Sequence, residues 1–327
     1  MNLFDTYTIF STGKSLKDAE IVTIKSDDDI LYIHQTEMAA VRYGIDAIST
    51  EFGGWIDPSL PRYVGTSEMT SCHALLITSS IGYVFGHLDG SCEGRLTRDF
   101  FEVAQKFFDT YLISDEIPEV HIVGGFLDSN GYSKDLSLQI ITQLLISRRT
   151  FRLQTLCCYT LNDHLIVESG QRVHMPTIRA VVFDIHTGIL SPASIPLGAS
   201  GPLNVLRSSY TYSISARNHM NNIMHPTSHH LILRPFTIDD NTLRALASLR
   251  NLPNKQLQRF STTPEQETDQ FYEKLRLTGH LLTNLKESGV NLFAQGNLEF
   301  FYGNVNHWHP ANVQTREAVR YLLTCLT

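Results

Sequence analysis

Cys72 and His87 could together perform nucleophilic chemistry, because a thiol beside an imidazole is readily activated for attack. They flank a segment that predicts two β-strands and a turn. Paired positions in an antiparallel hairpin have a constant sum, so a turn centred on Ser79-Ser80 predicts that Cys72 lies opposite His87. An imidazolium there would lower the pKa of the thiol, and the ring could protonate a leaving amine and then activate water. The alternative interpretation is a small cysteine buried in the core.

Turnover also requires a third group that holds the imidazole in one orientation. The candidates are the hydroxyl of Thr66, in the loop before Cys72, and the carboxylate of Asp89, two residues beyond His87. The backbone amides of Ser71 and Cys72 are candidates to stabilise an oxyanion. We therefore expect these groups to meet in one pocket that hydrolyses an amide.

Composition narrows the class of protein. The chain has 327 residues and a net charge of −7 without a dense basic stripe, which disfavours nucleic-acid binding. No apolar run approaches the roughly 20 residues that span a bilayer, and the N-terminus lacks the pattern of a signal peptide. The five cysteines are an odd number and include no CxxC pair. We expect a cytoplasmic protein with reduced thiols and no membrane association.

Apolar and aromatic runs mark strand and helix candidates in the first part of the chain. The predicted strands are Ile30–Gln35, His73–Ser79, Tyr83–Leu88, Glu119–Val123, Leu153–Thr160 and Ile178–Ile185. The predicted helices are Thr97–Ile113 and Ser133–Ser147. Because these elements follow no regular βαβ alternation, we predict an α+β fold, with a mixed sheet or sandwich and flanking helices.

The rest of the chain is predicted to cover this core, so that residues 1–327 form a single domain with a catalytic core over 1–190 and a covering part over 191–327. Prolines predict that residues 186–237 are irregular. Thr263–Gln266 predicts a helix start capped by Thr263, and Gln295–Asn297 predicts the turn of a hairpin. A terminal helix is predicted over Val313–Leu326.

Several stretches, in the same order over most of the chain, resemble the protein N-terminal asparagine amidohydrolase family. They are Leu31–Gln35, Gly65–His73, His87–Gly90, Glu119–Phe126, Thr155–Asp163, Ser261–Pro264 and Asn291–Asn297. The resemblance implies a cysteine-dependent enzyme that hydrolyses the side-chain amide of an N-terminal asparagine to aspartate, with release of ammonia through a thioester on Cys72. It also implies a role in the N-degron pathway.

The arrangement of cysteine, hairpin and histidine also resembles chemoreceptor glutamine deamidases and cytotoxic-necrotizing-factor toxins. That resemblance implies an α-β-β sandwich in which Cys72 is the nucleophile, His87 is the acid and base, and Thr66 is the orienting hydroxyl. Residues 41–60, including Phe52–Trp55, look like an insertion close to the active loop.

A substrate with a free N-terminus needs a partner for its α-ammonium, and a carboxylate binds that group best. Glu68, Asp89 and Asp128 lie in three loops that we expect to converge, with Ser71 beside them, although a loop acid is often only solvated. Gly124-Gly125 predicts either a close approach of the backbone to the substrate or a tight turn.

Two histidine pairs raise the possibility of a metal site. His307 and His309 share one face of a predicted strand, and His229-His230 form the second pair, but neither has a third ligand at a convincing spacing. We therefore expect no metal and no cofactor.

Two other functions stay open at this point. The same chemistry could deamidate an internal glutamine or asparagine of a partner protein, and the same pocket could belong to a catalytically silent peptide-binding module. An N-terminal amidohydrolase requires a free α-amino group, because its partner is a protein or peptide with an N-terminal asparagine. A deamidase of internal residues does not have that requirement.

Overall fold

A computed structural model of the chain describes residues 16–25, 30–44, 47–51, 54–90, 94–113, 115–168, 170–303 and 307–326. The strands are Val22–Thr23 (β1), Ile30–Tyr32 (β2), Glu37–Arg42 (β3), Ile48–Ser49 (β4), Trp55–Ile56 (β5), Tyr63–Thr66 (β6), His73–Ser79 (β7), Gly82–Leu88 (β8), Glu119–Gly124 (β9), Arg152–Cys158 (β10), Asp163–Glu168 (β11), Gln171–Pro176 (β12), Val181–Asp184 (β13), Ile189–Ser194 (β14), Asn221–Asn222 (β15), Leu231–Leu233 (β16), Leu298–Gly303 (β17) and His307–Pro310 (β18). The α-helices are Arg95–Tyr111 (α1), Tyr132–Ile146 (α2), Asn204–Ser208 (α3), Asp240–Leu249 (α4), Asn254–Leu257 (α5), Asp269–Ser288 (α6) and Val313–Leu326 (α7).

Two large sheets enclose the main core. One has six strands in the order β10-β9-β7-β8-β3-β15, and the other has five in the order β1-β14-β13-β6-β2. Leu31 and Val64 of the five-stranded sheet pack against Phe85 of the six-stranded sheet. The other face of the six-stranded sheet packs against α1 and α2 through Phe100 and Leu136. This order of layers, helices then sheet then sheet, confirms the predicted α+β class and the α-β-β sandwich.

The hairpin of β7 and β8 has a different register from the predicted one. Ser79 pairs with Gly82, so the turn consists of Ser80 and Ile81 rather than being centred on Ser79-Ser80. The predicted pairing of Cys72 with His87 is therefore wrong. The physical reason lies at Gly82, whose φ of 148° and close approach to the Val41 carbonyl suit glycine alone, so that β8 begins one residue earlier than expected.

Three other predictions along the chain need correction. Residues 186–237 contain β14, α3, β15 and β16, because the pairing of β14 with β13 and β1 tolerates Pro192 within the strand. The long helix α6 begins at Asp269, where the Thr268 hydroxyl accepts a hydrogen bond from the amide of Phe271, and Thr263 does not cap it. The last hairpin joins β17 to β18 and does not turn at Gln295–Asn297; its connecting residues lie outside the described ones. The terminal helix has the predicted bounds.

A buried ion pair joins the C-terminal part of the chain to the sandwich. Arg207 of α3 is 1% exposed and donates from Nη2 to the Glu37 carboxylate at 2.7 Å and to the Tyr32 carbonyl at 2.6 Å. Loss of one partner from such a pair costs about 3–5 kcal/mol because the other charge stays buried. Arg207 thus fixes the turn between β2 and β3 beneath the cavity described below.

None of the helices in the described part of the chain has the length and apolar character needed to cross a membrane.

Candidate active site

A cavity of about 140 Å³ lies where β6 and β8 end, between the sandwich and the C-terminal helices. The first part of the chain contributes Tyr32, Gln35, Ser67, Glu68, Thr70, Ser71, Cys72 and His87. The later part contributes Ser208, Thr211, Tyr212, Phe260, Ser261, Thr262, Glu267, Phe271, Lys274, Leu275 and Thr278. Both predicted reactive residues, Cys72 and His87, therefore line one cavity, together with Glu68 and Ser71.

Cys72 and His87 share one face of the six-stranded sheet although they are not opposed. His87 pairs with Ala74, and Cys72 lies two residues before Ala74 on the same side of the chain. Diagonal neighbours of this kind have Cβ atoms about 7 Å apart, a separation that a thiol and an imidazole ring can bridge. The neighbouring His73 points to the helix layer instead, where its Nε2 atom lies 2.8 Å from the hydroxyl of Ser137.

The hydroxyl of Thr66 fixes the tautomer of His87. Thr66 ends β6, a strand of the other sheet, and its hydroxyl donates to the carbonyl of Ile33 at 2.7 Å. Because that hydroxyl has a single hydrogen, it can only accept from Nδ1 of His87, which lies 2.6 Å away. Nδ1 therefore carries the proton and Nε2 keeps a lone pair. Nε2 is buried and has no hydrogen-bond partner within the described residues.

Burial keeps both the Cys72 thiol and the His87 imidazole neutral. It raises the pKa of the Cys72 thiol well above its usual value, as do the carboxylates of Asp89 and Glu267, against the opposing effect of the Lys274 ammonium. Burial also lowers the pKa of His87 to about 3, aided by Lys274. The expected thiolate–imidazolium pair is thus replaced by a thiol beside a neutral base.

The backbone before β7 presents amides that could bind an oxyanion. Neither Ser71 nor Cys72 has a backbone or side-chain acceptor for its N–H among the described residues. The carbonyl of Cys72 accepts from the amide of Gly125 at 2.9 Å, which holds this segment against β9. A Cβ atom on Gly124 would collide with that carbonyl, so the glycine pair allows close approach to Cys72 rather than to a substrate.

The predicted acids do not converge as expected. Glu68 lines the cavity, with an unusual φ of 60° that turns its side chain toward the helices. Asp89 does not line it and accepts from Nε2 of Gln35 at 2.6 Å rather than orienting His87. Asp128 caps α2 by accepting from the amides of Asn130, Tyr132 and Ser133, so its carboxylate is committed to the helix.

Two charged residues of the cavity were missed by the sequence analysis. Glu267 and Lys274 both come from the region of α6, more than half the chain away from Cys72. Glu267 bonds to the hydroxyl of Ser261, and its partly buried carboxyl has a pKa raised to about 7 by burial and by Glu68. Neither residue stands in a motif, so no local pattern could have identified them.

The segment expected to be an insertion near the active loop lies elsewhere. Trp55 stacks on Tyr43 with ring centroids 5.5 Å apart, and Gly54 and Trp55 line a separate cleft with Thr78 and Ser79. That cleft lies at the turn end of β7, opposite Cys72. Phe52 and Gly53 lie outside the described residues.

His229 and His309, one residue of each histidine pair, have other contacts. Both ring nitrogens of His229 are engaged, with Ser59 Oγ and the Arg42 carbonyl each at 2.6 Å, and His309 stacks on Phe301. Over the described ranges, no group of three or more histidine, cysteine or acidic side chains is placed to hold a metal ion.

The tautomer of His87 can be tested by nitrogen NMR of the imidazole, assigned with a His87→Gln variant. Since the pKa of His87 is lowered to about 3, the ring should stay neutral from pH 5 to pH 8, with the proton on Nδ1. Thr66→Val should abolish the preference for that tautomer, because it removes the acceptor. A ring that titrates near pH 6.5, or that carries its proton on Nε2 in the wild type, would contradict this assignment.

The sequence matches known proteins over most of its length. The profile of the family described as protein N-terminal asparagine amidohydrolase matches residues 20–310. The protein N-terminal asparagine amidohydrolase of Homo sapiens is 25% identical over 276 residues, which cover 84% of this chain and 80% of the human protein. The protein of the same name from Sus scrofa is 27% identical over 146 residues, which cover 44% of this chain and 44% of the pig protein. The one from Mus musculus is 26% identical over 167 residues, which cover 50% of this chain and 48% of the mouse protein. The chain therefore belongs to the protein N-terminal asparagine amidohydrolase family.

Proposed function

We propose that this protein hydrolyses the side-chain amide of an N-terminal asparagine to aspartate and releases ammonia, with Cys72 as nucleophile and His87 as acid and base. The observation that carries the proposal is the free lone pair of His87 Nε2 in the cavity that Cys72 lines. Membership of the amidohydrolase family supports the substrate. The size of the cavity supports it as well, since about 150 Å³ holds six non-hydrogen atoms and an asparagine side chain with its α-carbon and nitrogen has six.

In the first half of the reaction, Nε2 takes the thiol proton as sulfur attacks the carboxamide carbon. Both groups start neutral, so proton transfer and attack proceed together rather than from a stored thiolate. The oxyanion that forms is bound by the amides of Ser71 and Cys72. The imidazolium then gives its proton to the amide nitrogen, the carbon–nitrogen bond breaks, ammonia leaves and a thioester remains on Cys72.

In the second half, water takes the place of ammonia. Nε2 removes a proton from water, the hydroxide attacks the thioester carbon, and the carbon–sulfur bond breaks. The proton on Nε2 returns to sulfur, and the products are an N-terminal aspartate and the free thiol. Thr66 does not touch the substrate; it is a positioning residue that keeps Nδ1 protonated through both halves.

Two carboxylates of one wall are suited to bind the α-ammonium. Glu68 accepts from the hydroxyl of Thr268 at 3.3 Å, and Glu267 precedes Thr268 in the chain, so the two acids lie together. Each carboxylate makes the electrostatic potential at this wall more negative, and for that reason Glu68 contributes to the raised pKa of Glu267. We assign the α-amino specificity to Glu68 with Glu267, and Ser71 lines the same cavity. Asp89 and Asp128 do not line it, so we assign neither of them to this specificity.

The cytoplasmic N-degron pathway is the proposed setting of this activity. Hydrolysis of an N-terminal asparagine creates an N-terminal aspartate, and membership of the amidohydrolase family supports this setting. The substrate would then be a protein or peptide with a free N-terminal asparagine, with no nucleic acid or membrane involved.

The first test compares an asparagine-initiated peptide with its N-acetylated twin, with ammonia release as the readout. The free peptide should react, and the kcat/KM of the acetylated peptide should be lower by at least about a hundredfold, since acetylation removes the charge that Glu68 and Glu267 bind. Cys72→Ala should lower the rate by at least about a thousandfold while the fold persists. Equal rates for both peptides would favour a deamidase of internal residues, and no ammonia from either would favour a silent binding module.

The second test addresses the α-ammonium site with Glu267→Gln. This variant keeps the shape of the side chain and removes its charge, so the KM for the free peptide should rise about tenfold or more with kcat little changed. In the wild type, KM should rise as the pH falls below about 7, because protonation of Glu267 removes the charge that binds the ammonium. That dependence should vanish in Glu267→Gln.

The matched control is Glu265→Gln, two residues earlier and exposed, which should leave both constants unchanged. An unchanged KM in Glu267→Gln, or an equal effect of the control, would remove Glu267 from the site.

A further inference from the structure

Lys274 places a positive charge in the cavity that Cys72 also lines, with Glu68 as a distant anionic partner. Its Nζ atom lies 3.5 Å from Nδ1 of His34 and 3.9 Å from Oε2 of Glu68, and the Lys274 side chain is 20% exposed. An ammonium has three hydrogens to donate, and both contacts are longer than a strong hydrogen bond. The amino group is therefore available to a new negative charge in the cavity.

The sulfur of Cys72 is where that charge develops. The charged groups whose electrostatic effect reaches the Cys72 thiol are the carboxylates of Asp89, after β8, and Glu267, before α6, and the ammonium of Lys274. Glu267 and Lys274 also line the cavity. The two acids oppose a thiolate, and His87 is neutral until it takes the thiol proton, so it offers no positive charge at the start of the attack. The charged or titratable groups around Lys274 itself are His34, Glu68, Cys72 and His87.

We propose that Lys274 supplies the counter-charge of the Cys72 sulfur during attack, the part that an imidazolium plays in a preformed ion pair. The inference rests on the proposed role of Cys72 as nucleophile. His34 accepts from the ammonium at Nδ1 and holds it on the cavity side of α6.

The experiment measures carboxamidomethylation of Cys72 by iodoacetamide as a function of pH, quantified on the Cys72 peptide by mass spectrometry. Lys274→Met should raise the pH midpoint of the reaction by about one unit and lower the rate at pH 7 about tenfold. Lys274→Arg keeps the charge and should stay within about threefold of the wild type. Lys286→Met is the matched control, because Lys286 lies on the same helix and pairs with Asp240 at 2.8 Å, and it should have no effect.

Three results would overturn the inference. The first is a pH midpoint in Lys274→Met equal to that of the wild type. The second is an equal loss of alkylation rate at pH 7 in Lys274→Met and Lys274→Arg. The third is a wild-type protein in which the reagent does not modify Cys72 at any pH. Should Lys274→Met not fold, Lys274→Gln gives the same comparison. Alkylation needs no substrate, so a failure of the proposed amidohydrolase reaction, seen as no ammonia from the asparagine peptide, is distinguished from a failure of this inference.

Discussion

The hydroxyl of Thr66 has one hydrogen, and its donation to the carbonyl of Ile33 decides what His87 can do. With that hydrogen committed, Thr66 can only accept, so Nδ1 of His87 must carry a proton and Nε2 must keep its lone pair. The bond crosses the interior of the sandwich, from β6 of one sheet to β8 of the other. The imidazole is therefore oriented by the packing of two sheets rather than by a mobile loop, and a short hydroxyl bonds to it where a carboxylate often holds a catalytic histidine.

The same packing sets the electrostatics of the cavity. Removal of the thiol and the imidazole from water makes charge on either group costly, so the cavity needs fixed charges placed by other elements. These come from the C-terminal part, where α6 and the loop before it bring Lys274 and Glu267 to the first part of the chain. The buried pair of Arg207 and Glu37 ties this part to the sandwich, so the covering region also completes the cavity.

Local patterns predicted much of the fold and that Cys72 and His87 meet in one cavity, and long-range contacts explain what those patterns missed. The strand β7 and the helix α7 have the predicted bounds, because their apolar periodicity is strong. The predicted register of the hairpin was wrong by one turn position. The close approach of Gly82 to β3 is a tertiary contact, and a local pattern cannot reveal it. Asp128 is an acidic residue of a loop, a type that often binds substrates. Because it lies about one turn before α2, it caps that helix instead. No sequence motif marks Lys274, because only the docking of α6 against the sandwich brings it to the cavity.

In the proposed reaction, an asparagine amide lies between the sulfur of Cys72 and Nε2 of His87. A crystal structure of the Cys72→Ser variant with an asparagine-initiated peptide tests it most directly. The carboxamide carbon should lie about 3–3.5 Å from the side-chain oxygen at position 72, with Nε2 directed at that oxygen and at the amide nitrogen. A peptide bound with its carboxamide outside this cavity, or a His87 ring turned away from position 72, would show that Cys72 and His87 do not act on the amide together.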